Sequence, residues 1–279
     1  MFLRILGSVE VLVEKRWCRA GPAKQAAILA ALAVSPRRSV PQSALILRAW
    51  GSEPPPSSRS ALYSYVARLR RLIATVPDAS IQRGAGNGYR LEVDDGAIDL
   101  FVMRDLAAKA SSLHDIGDIG GAVDCWRRAV ALWRDRPLAH IETAWADRVR
   151  AALTREHVAN LRNLYAAELD AGGHGAVIGE LTEAVVAYPR EEPLIAELMR
   201  AVFLSGRQAD ALALYSETVA RLRDEFGVEP SARLRRMQRR ILRQDPNLQP
   251  ESALSSPSST GSPLSSPEPS SLPPTQEAL

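Results

Sequence analysis

Cysteine is scarce in this chain. Cys18 and Cys125 are the two among 279 residues, and they are too few and too far apart to make a disulfide framework. His114, His140, His157 and His174 show no metal-ligand spacing with each other or with those cysteines, so no metal and no cofactor is expected. No apolar stretch approaches the roughly 18–20 residues of a membrane span, which argues against a membrane partner. The N-terminus also lacks the basic, apolar, small-residue order of a signal peptide. A Gly-x-x-x-x-Gly-Lys-Ser/Thr loop, a nucleophile–base spacing and paired catalytic carboxylates are all missing, so an enzyme is not expected. Lysine too is rare, at 3 of the 35 basic residues, in an Ala- and Arg-rich chain. What is present, 46% hydrophobic and 24% charged, is enough to build a folded core and fits a cytoplasmic protein.

The net charge of +3 hides a division along the chain. Residues 1–90 hold 14 basic residues and only 4 acids (Glu10, Glu14, Glu53 and Asp78), a net of +10, and the remainder carries −7. A compact basic part nearly free of acids suits a polyanion, and nucleic acid is the first candidate. From Pro246 onwards Ser and Pro dominate and aliphatic residues are few, so 246–279 reads as a disordered spacer or tail.

The first 95 residues alternate strand and helix signals. Phe2–Gly7 and Val9–Val13 have strand-like alternation. Pro22 opens a helix that stops before Pro36, and a second helix follows Pro41 and ends at Gly51. Pro54-Pro55-Pro56 cannot continue a helix, and Ser57 or Ser58 is placed to cap the next one. That third helix, read over Ser57–Val76, carries Leu62, Tyr65, Val66, Leu69, Leu72, Ile73 and Val76 at spacings of three and four. The opposite side holds Ser60, Ser64, Ala67 and Arg71, flanked by Arg68, Tyr63 and Arg70, with Arg59 in the first turn. No acid occurs from Ser57 to Val76. Solvated faces normally mix both signs. A small, hydroxylated, cationic face suits a DNA major groove, where Arg pairs with guanine and Ser or Tyr binds phosphate. Ile81–Val93 reads as two strands around a glycine-rich turn, with Arg83 and Arg90 positioned to rest on the DNA backbone. Gly84 and Gly86 resemble the start of a dinucleotide loop only superficially, since a strand follows instead of a helix. The order makes a winged helix-turn-helix.

Residues 96–245 read as helical repeats. A shift of 34 residues aligns Leu164 with Leu198, Ala167 with Ala201, Gly172 with Gly206, Leu181 with Tyr215 and Val185 with Val219, the tetratricopeptide period. Trp126, Trp133, Trp145, Tyr165, Tyr215 and Cys125 are expected to pack between helices, and Glu180, Glu183, Glu191, Glu192 and Glu197 to be solvated. The fold expected is mainly α with a small β component, divided as 1–95, 96–245 and the tail.

Several stretches, in order, resemble one family. They include Gly21-Pro22-Ala23-Lys24-Gln25, Ala49-Trp50-Gly51 and Leu62-Tyr63-Ser64-Tyr65-Val66-Ala67-Arg68-Leu69-Arg70-Arg71-Leu72. Gly88-Tyr89-Arg90-Leu91, Ala131-Leu132-Trp133-Arg134, Ser205-Gly206-Arg207-Gln208-Ala209 and Gly227-Val228-Glu229-Pro230 continue them. Over residues 1–245 the chain is similar to the Streptomyces antibiotic regulatory proteins (SARPs), which join an OmpR-type winged helix to a bacterial transcriptional activation domain. Ser231-Ala232 stands where that family often has Gly and Pro, and Arg37-Arg38 where Asn is usual. The resemblance implies a nucleoid-associated transcriptional activator for a secondary-metabolite (antibiotic) gene cluster. It implies promoter direct repeats in double-stranded DNA as the target, and a dimer or tandem protomers on that DNA. RNA polymerase and its sigma factor are the implied protein partners. The DNA-contacting residues would be Arg59, Ser60, Tyr63, Ser64, Arg68, Arg70, Arg71, Arg83 and Arg90. A repressor or architectural binder on the same fold, or an adaptor working through its helical repeats, stands as the alternative.

Overall fold

A computed structural model describes residues 1–74, 76 and 78–248. Strands β1 (Leu3–Arg4), β2 (Glu10–Val13) and β3 (Arg16–Arg19) form an antiparallel sheet in the order β1-β2-β3, with Leu3 opposite Val11 and Val11 opposite Cys18. The sequence pattern does not announce β3. Its two-residue turn, Glu14-Lys15, has φ of 47° and 65°, a conformation usually signalled by Asn or Gly.

Three helices follow, the third of them packed against this sheet. In α1 (Ala23–Ala33) every residue from Gln25 to Ala33 is buried, and its small side chains let neighbours approach closely. Helix α2 (Gln42–Trp50) ends at Gly51, whose φ of 86° suits glycine. Helix α3 (Ser58–Ile73) buries Leu62, Val66, Leu69 and Ile73 against α1, α2 and β2, at about 1.5–3 kcal/mol per side chain. Ser57 takes the cap position of α3, but neither Ser57 nor Ser58 makes the expected side-chain cap. The backbone of Ser57 is already near-helical (φ −79°, ψ −1°), so its hydroxyl does not face the first amides. A turn from Ser58 N–H to the Pro55 carbonyl and the Ser60 hydroxyl donating to the Ser57 carbonyl organise the start instead.

The hairpin of β4 (Ser80–Arg83) and β5 (Tyr89–Glu92) follows, with Ile81 opposite Leu91. Its base is pinned where Val40 and Tyr89 exchange two backbone hydrogen bonds of 2.8 and 3.0 Å. A Cβ at Gly88 would lie 2.5 Å from the Val40 carbonyl oxygen, so only glycine permits that approach. Sheet, three helices and hairpin together make the winged helix.

The helical unit then rises as three hairpins and a closing helix. They are α4 (Asp99–Asp115) with α5 (Ile119–Ala131), α6 (Ala144–Asp170) with α7 (His174–Ala187), α8 (Glu192–Leu204) with α9 (Gln208–Phe226), and α10 (Ala232–Leu242). Gly117, Gly172 and Gly206 turn the three hairpins with φ of 83°, 86° and 78°. The repeat-aligned Leu164, Leu198, Ala167 and Ala201 are buried in one core with Trp126, Tyr165 and Cys125. Trp133 stacks face to face on His157, with ring centroids 4.2 Å apart.

The two units share apolar packing across the expected division at 95/96. One buried cluster runs from Phe2 and Leu3 through Ile98, Leu100 and Met103 to Leu138, Ile141 and Leu153. Asp99, 1% exposed, accepts from the amides of Ile5, Leu6 and Leu100, each at 2.9 Å. Burial pushes its carboxyl up, opposed by those amides and by Arg134. The amides of Arg134, Leu138 and Ala139 bond to the carbonyls of Leu6, Ile5 and Gly7. The Thr143 hydroxyl reaches the Arg48 carbonyl at 3.0 Å.

Two further sequence expectations need correction. Glu197 is not solvated: it is buried under α10 and paired to Arg233 at 2.8 Å, because α8 lies between its own hairpin and the closing helix. Glu192 accepts from the Ser231 amide at 2.7 Å. Pro246–Leu248, assigned from composition to the tail, forms a one-turn 3-10 helix with Leu248 fully buried. The rest of the expected tail, 249–279, lies outside the described residues. Among the described residues no helix is long and apolar enough to cross a membrane.

Candidate nucleic-acid interface

The buried stripe of α3 fixes which side faces out. Arg59, Ser60, Tyr63, Ser64, Ala67, Arg68, Arg70 and Arg71 are all exposed. Their partners divide them into two sets. Arg59, Ser64, Arg68 and Arg71 make no hydrogen bond or ion pair among the described residues, though Arg68 lies 5.8 Å from the Tyr65 ring. The others are partly engaged. The Tyr63 hydroxyl donates to Gln42 Oε1 at 3.2 Å, tying α3 to the start of α2. Arg70 Nε donates to the Ile81 carbonyl at 2.8 Å, with its guanidinium 5.8 Å from the Tyr89 ring. Arg70 therefore joins helix to hairpin and holds the two at a fixed angle.

The two wing arginines differ as well. Arg83 is exposed without an acidic partner, 6.0 Å from the Tyr89 ring. Arg90 is half-buried, 2.5 Å from Glu92 and bonded to Gln82 Oε1 at 3.0 Å, so its charge is largely spent within the hairpin. At the tip, Gly84 N–H bonds to the Gly88 carbonyl and Gly88 N–H to Ala85, and Ala85, Gly86 and Asn87 stand exposed.

Sequence reasoning passed over one neighbour. Arg38 is exposed and unpaired among the described residues, in the loop whose next residue, Ser39, donates to the Ala85 carbonyl of the wing at 2.9 Å. The only signal was the doublet Arg37-Arg38, and Arg37 turns away to pair with Asp95 at 2.9 Å. Helix, wing and loop thus present unpaired guanidinium groups with little competing negative charge, the electrostatic footprint of a phosphate-binding surface.

The strongly shifted titratable groups lie elsewhere, in the helical unit. Burial pushes His157 down to about 4 and Tyr165 up to about 12. Among the described residues no group of three or more His, Cys, Asp or Glu could hold a metal ion.

Comparison with known proteins matches both halves. Residues 98–242 fit the bacterial transcriptional activator domain, and residues 20–91 fit the family described as transcriptional regulatory protein, C terminal. Regulatory protein AfsR of Streptomyces coelicolor is 35% identical over 92% of this chain, which spans 26% of that relative. Regulatory protein DnrI of Streptomyces peucetius is 31% identical over 79% of this chain and 84% of its own length. Transcriptional regulator RedD of Streptomyces coelicolor is 32% identical over 90% and 73%. The solved structure of Mycobacterium tuberculosis EmbR, in complex with a low-affinity phosphopeptide, superposes with a TM-score of 0.82 at 29% identity. That match covers 88% of this chain and 65% of EmbR.

Proposed function

The chain belongs to the SARP family of transcriptional regulators, and from that premise we propose that it is a sequence-specific activator reading promoter DNA through α3. Arg59, Ser64, Arg68 and Arg71 supply the base and phosphate contacts, with Ser60 beside them. Tyr63 and Arg70 set the pose of the helix, and the Nη donors of Arg70 remain available to the DNA. Arg83, the exposed amides of 85–87 and, more weakly, Arg90 hold the flanking backbone. The observation that carries this reading is that the free guanidinium groups of Arg68 and Arg71 stand on the side of α3 away from its buried stripe, with Arg59 free in the first turn and no acid between Ser57 and Val76.

Kinship with these regulators points to direct repeats in promoter DNA. Direct repeats require protomers arranged head to tail, without the two-fold symmetry of palindrome readers, at a spacing of roughly one helical turn, about 10–10.5 bp. The helical unit would then meet RNA polymerase and its sigma factor, and the target would be a biosynthetic gene cluster for a secondary metabolite. Footprinting on the upstream regions of neighbouring genes, followed by transcription in vitro from any protected promoter, tests this. Protection of paired repeats with increased transcript supports activation. Protection with reduced transcript would make the protein a repressor on the same fold. The absence of salt-sensitive DNA binding would move the function to the helical repeats.

A further inference from the structure

Helix α10, with the Arg243 that follows it, breaks the charge pattern of its surroundings. Residues 91–231 hold 24 acids against 15 bases, yet 232–243 holds six arginines and no acid. Leu234, Met237 and Ile241 are its buried stripe. At about 100° per residue, Arg235, Arg236, Arg239 and Arg243 fall on the opposite side, with Arg240 half-buried at its flank. Two neighbouring arginines are neutralised: Arg233 pairs with Glu197 and Arg200 with Asp170. Arg236, Arg239 and Arg243 are exposed and have no acidic partner among the described residues, while Arg240 keeps Asp245 at 2.8 Å. Like charges at these spacings destabilise a helix, so the row is held at a cost that a bound anion would relieve.

The same row lines a concavity of about 490 Å³, closed by Asp245 and Pro246. A second concavity of about 410 Å³ shares Arg236 and Arg240 and is bounded by Asp170, Glu197 and Arg200. We propose that this groove binds a small ligand carrying several adjacent phosphate groups, on the scale of a di- or triphosphate. Guanidinium forks match phosphate oxygens two at a time, and the groove offers several within reach of one compact anion. From Arg236 to Arg243 the helix rises about 10.5 Å. The Arg240–Asp245 pair bounds this window at one end and the Arg200–Asp170 and Arg233–Glu197 pairs at the other, so the unpaired positive charge is confined to a short span that suits a compact anion better than a long one. The groove is also separate from α3. The start of α6 bonds to the winged helix through Thr143 and its end to Arg200 through Asp170, with 27 residues, about 40 Å, between them.

Calorimetric titration of the full chain with sodium tripolyphosphate tests the site, with sodium sulfate at matched ionic strength as control. Wild type is expected to bind tripolyphosphate saturably at one per chain, and sulfate without saturation. R236Q/R239Q/R243Q is expected to bind it at least roughly tenfold more weakly, and Arg71→Ala to bind it as wild type does. Gln keeps helix propensity, and the three positions lie off the buried stripe, so the triple variant should melt with wild type. Should it melt early, Arg239→Gln alone, with about a threefold loss, carries the same test. Unsaturable binding, equal binding by sulfate, an unaffected triple variant, or loss of binding in Arg71→Ala would each overturn the proposal. A triple variant impaired for non-operator duplex but unchanged for tripolyphosphate would overturn it too, making α10 a polymer-binding face.

Discussion

Arginine is the dominant cation in both halves of this molecule, yet it is used in opposite ways. In the helical unit it mostly closes contacts: Arg104 with Glu156, Arg127 with Glu168 and Glu180, Arg207 with Asp210, Arg223 with Glu229. On the winged helix Arg59, Arg68, Arg71 and Arg83 have no such partner among the described residues. Composition cannot distinguish these roles, because the residue is the same. The difference lies in whether the fold brings a carboxylate within reach. A paired guanidinium has its field cancelled locally, and an unpaired one keeps it for a partner. The row on α10 departs from its own half of the molecule for the same reason.

The comparison can be broken most forcefully at the seam between the halves. Asp99→Ala would leave the Ile5 and Leu6 amides unsatisfied in a buried site, at about 3–5 kcal/mol. Because one apolar cluster spans the seam, urea unfolding followed by circular dichroism should show a single transition moved to lower denaturant. Two transitions with only one displaced would mean that the halves are energetically separate.

A second probe concerns pH, and it belongs to the helical unit alone. His157 is held neutral by burial, with its titration pushed down to about 4 from an ordinary 6.5. Between those values the unfolded chain binds a proton that the folded chain does not, so stability falls as pH drops from about 6.5 to about 4. The loss is about 1.4 kcal/mol per unit, reaching roughly 3 kcal/mol. His157→Phe should flatten that stretch of the stability curve, while DNA affinity at neutral pH stays put. A slope unchanged by the substitution would assign the acid sensitivity to other groups.

On the winged helix, Arg71→Ala should weaken specific binding by about 1–3 kcal/mol and relax preference at one base pair if the side chain pairs with a base. If it touches phosphate only, binding should weaken equally on all sequences and the salt slope should fall by about one. Unchanged affinity on every duplex would remove Arg71 from the contact face. The smallest expected contrast is in helix capping. Asp118 accepts from the Gly121 amide at 2.9 Å, so Asp118→Ala should cost about 1 kcal/mol. Ser57→Ala, at a cap position with no side-chain bond, should cost only a few tenths. Equal losses in thermal melts would show that the Ser57 side chain caps α3.

Much of this architecture was legible in the sequence because periodicity and punctuation are local signals. The stripe Leu62–Ile73, the breaks at Pro54–Pro56 and Gly51, and the turn glycines Gly172 and Gly206 all speak through near neighbours. Strand β3 was not legible, since a Glu-Lys turn in the left-handed region carries no composition cue. Which α3 residues keep free donors was hidden too. Tyr63 finds Gln42 and Arg70 finds Ile81 only after the helices and hairpin have packed. Glu197 and Leu248 were misjudged for a related reason. Their burial depends on α10 and α8, and nothing in the adjacent residues records it.

Fluorescence anisotropy on a footprinted promoter fragment across a range of salt, with Ser64→Glu beside the wild type, addresses the central claim most directly. Ser64 is exposed and unbonded, so the substitution should leave the melting temperature intact while placing a negative charge in the middle of the α3 face. Steeply salt-dependent binding by the wild type, and its loss in a variant that melts at the same temperature, is the result this account predicts. A folded Ser64→Glu protein that binds the fragment as tightly as the wild type, with the same salt slope, would contradict it.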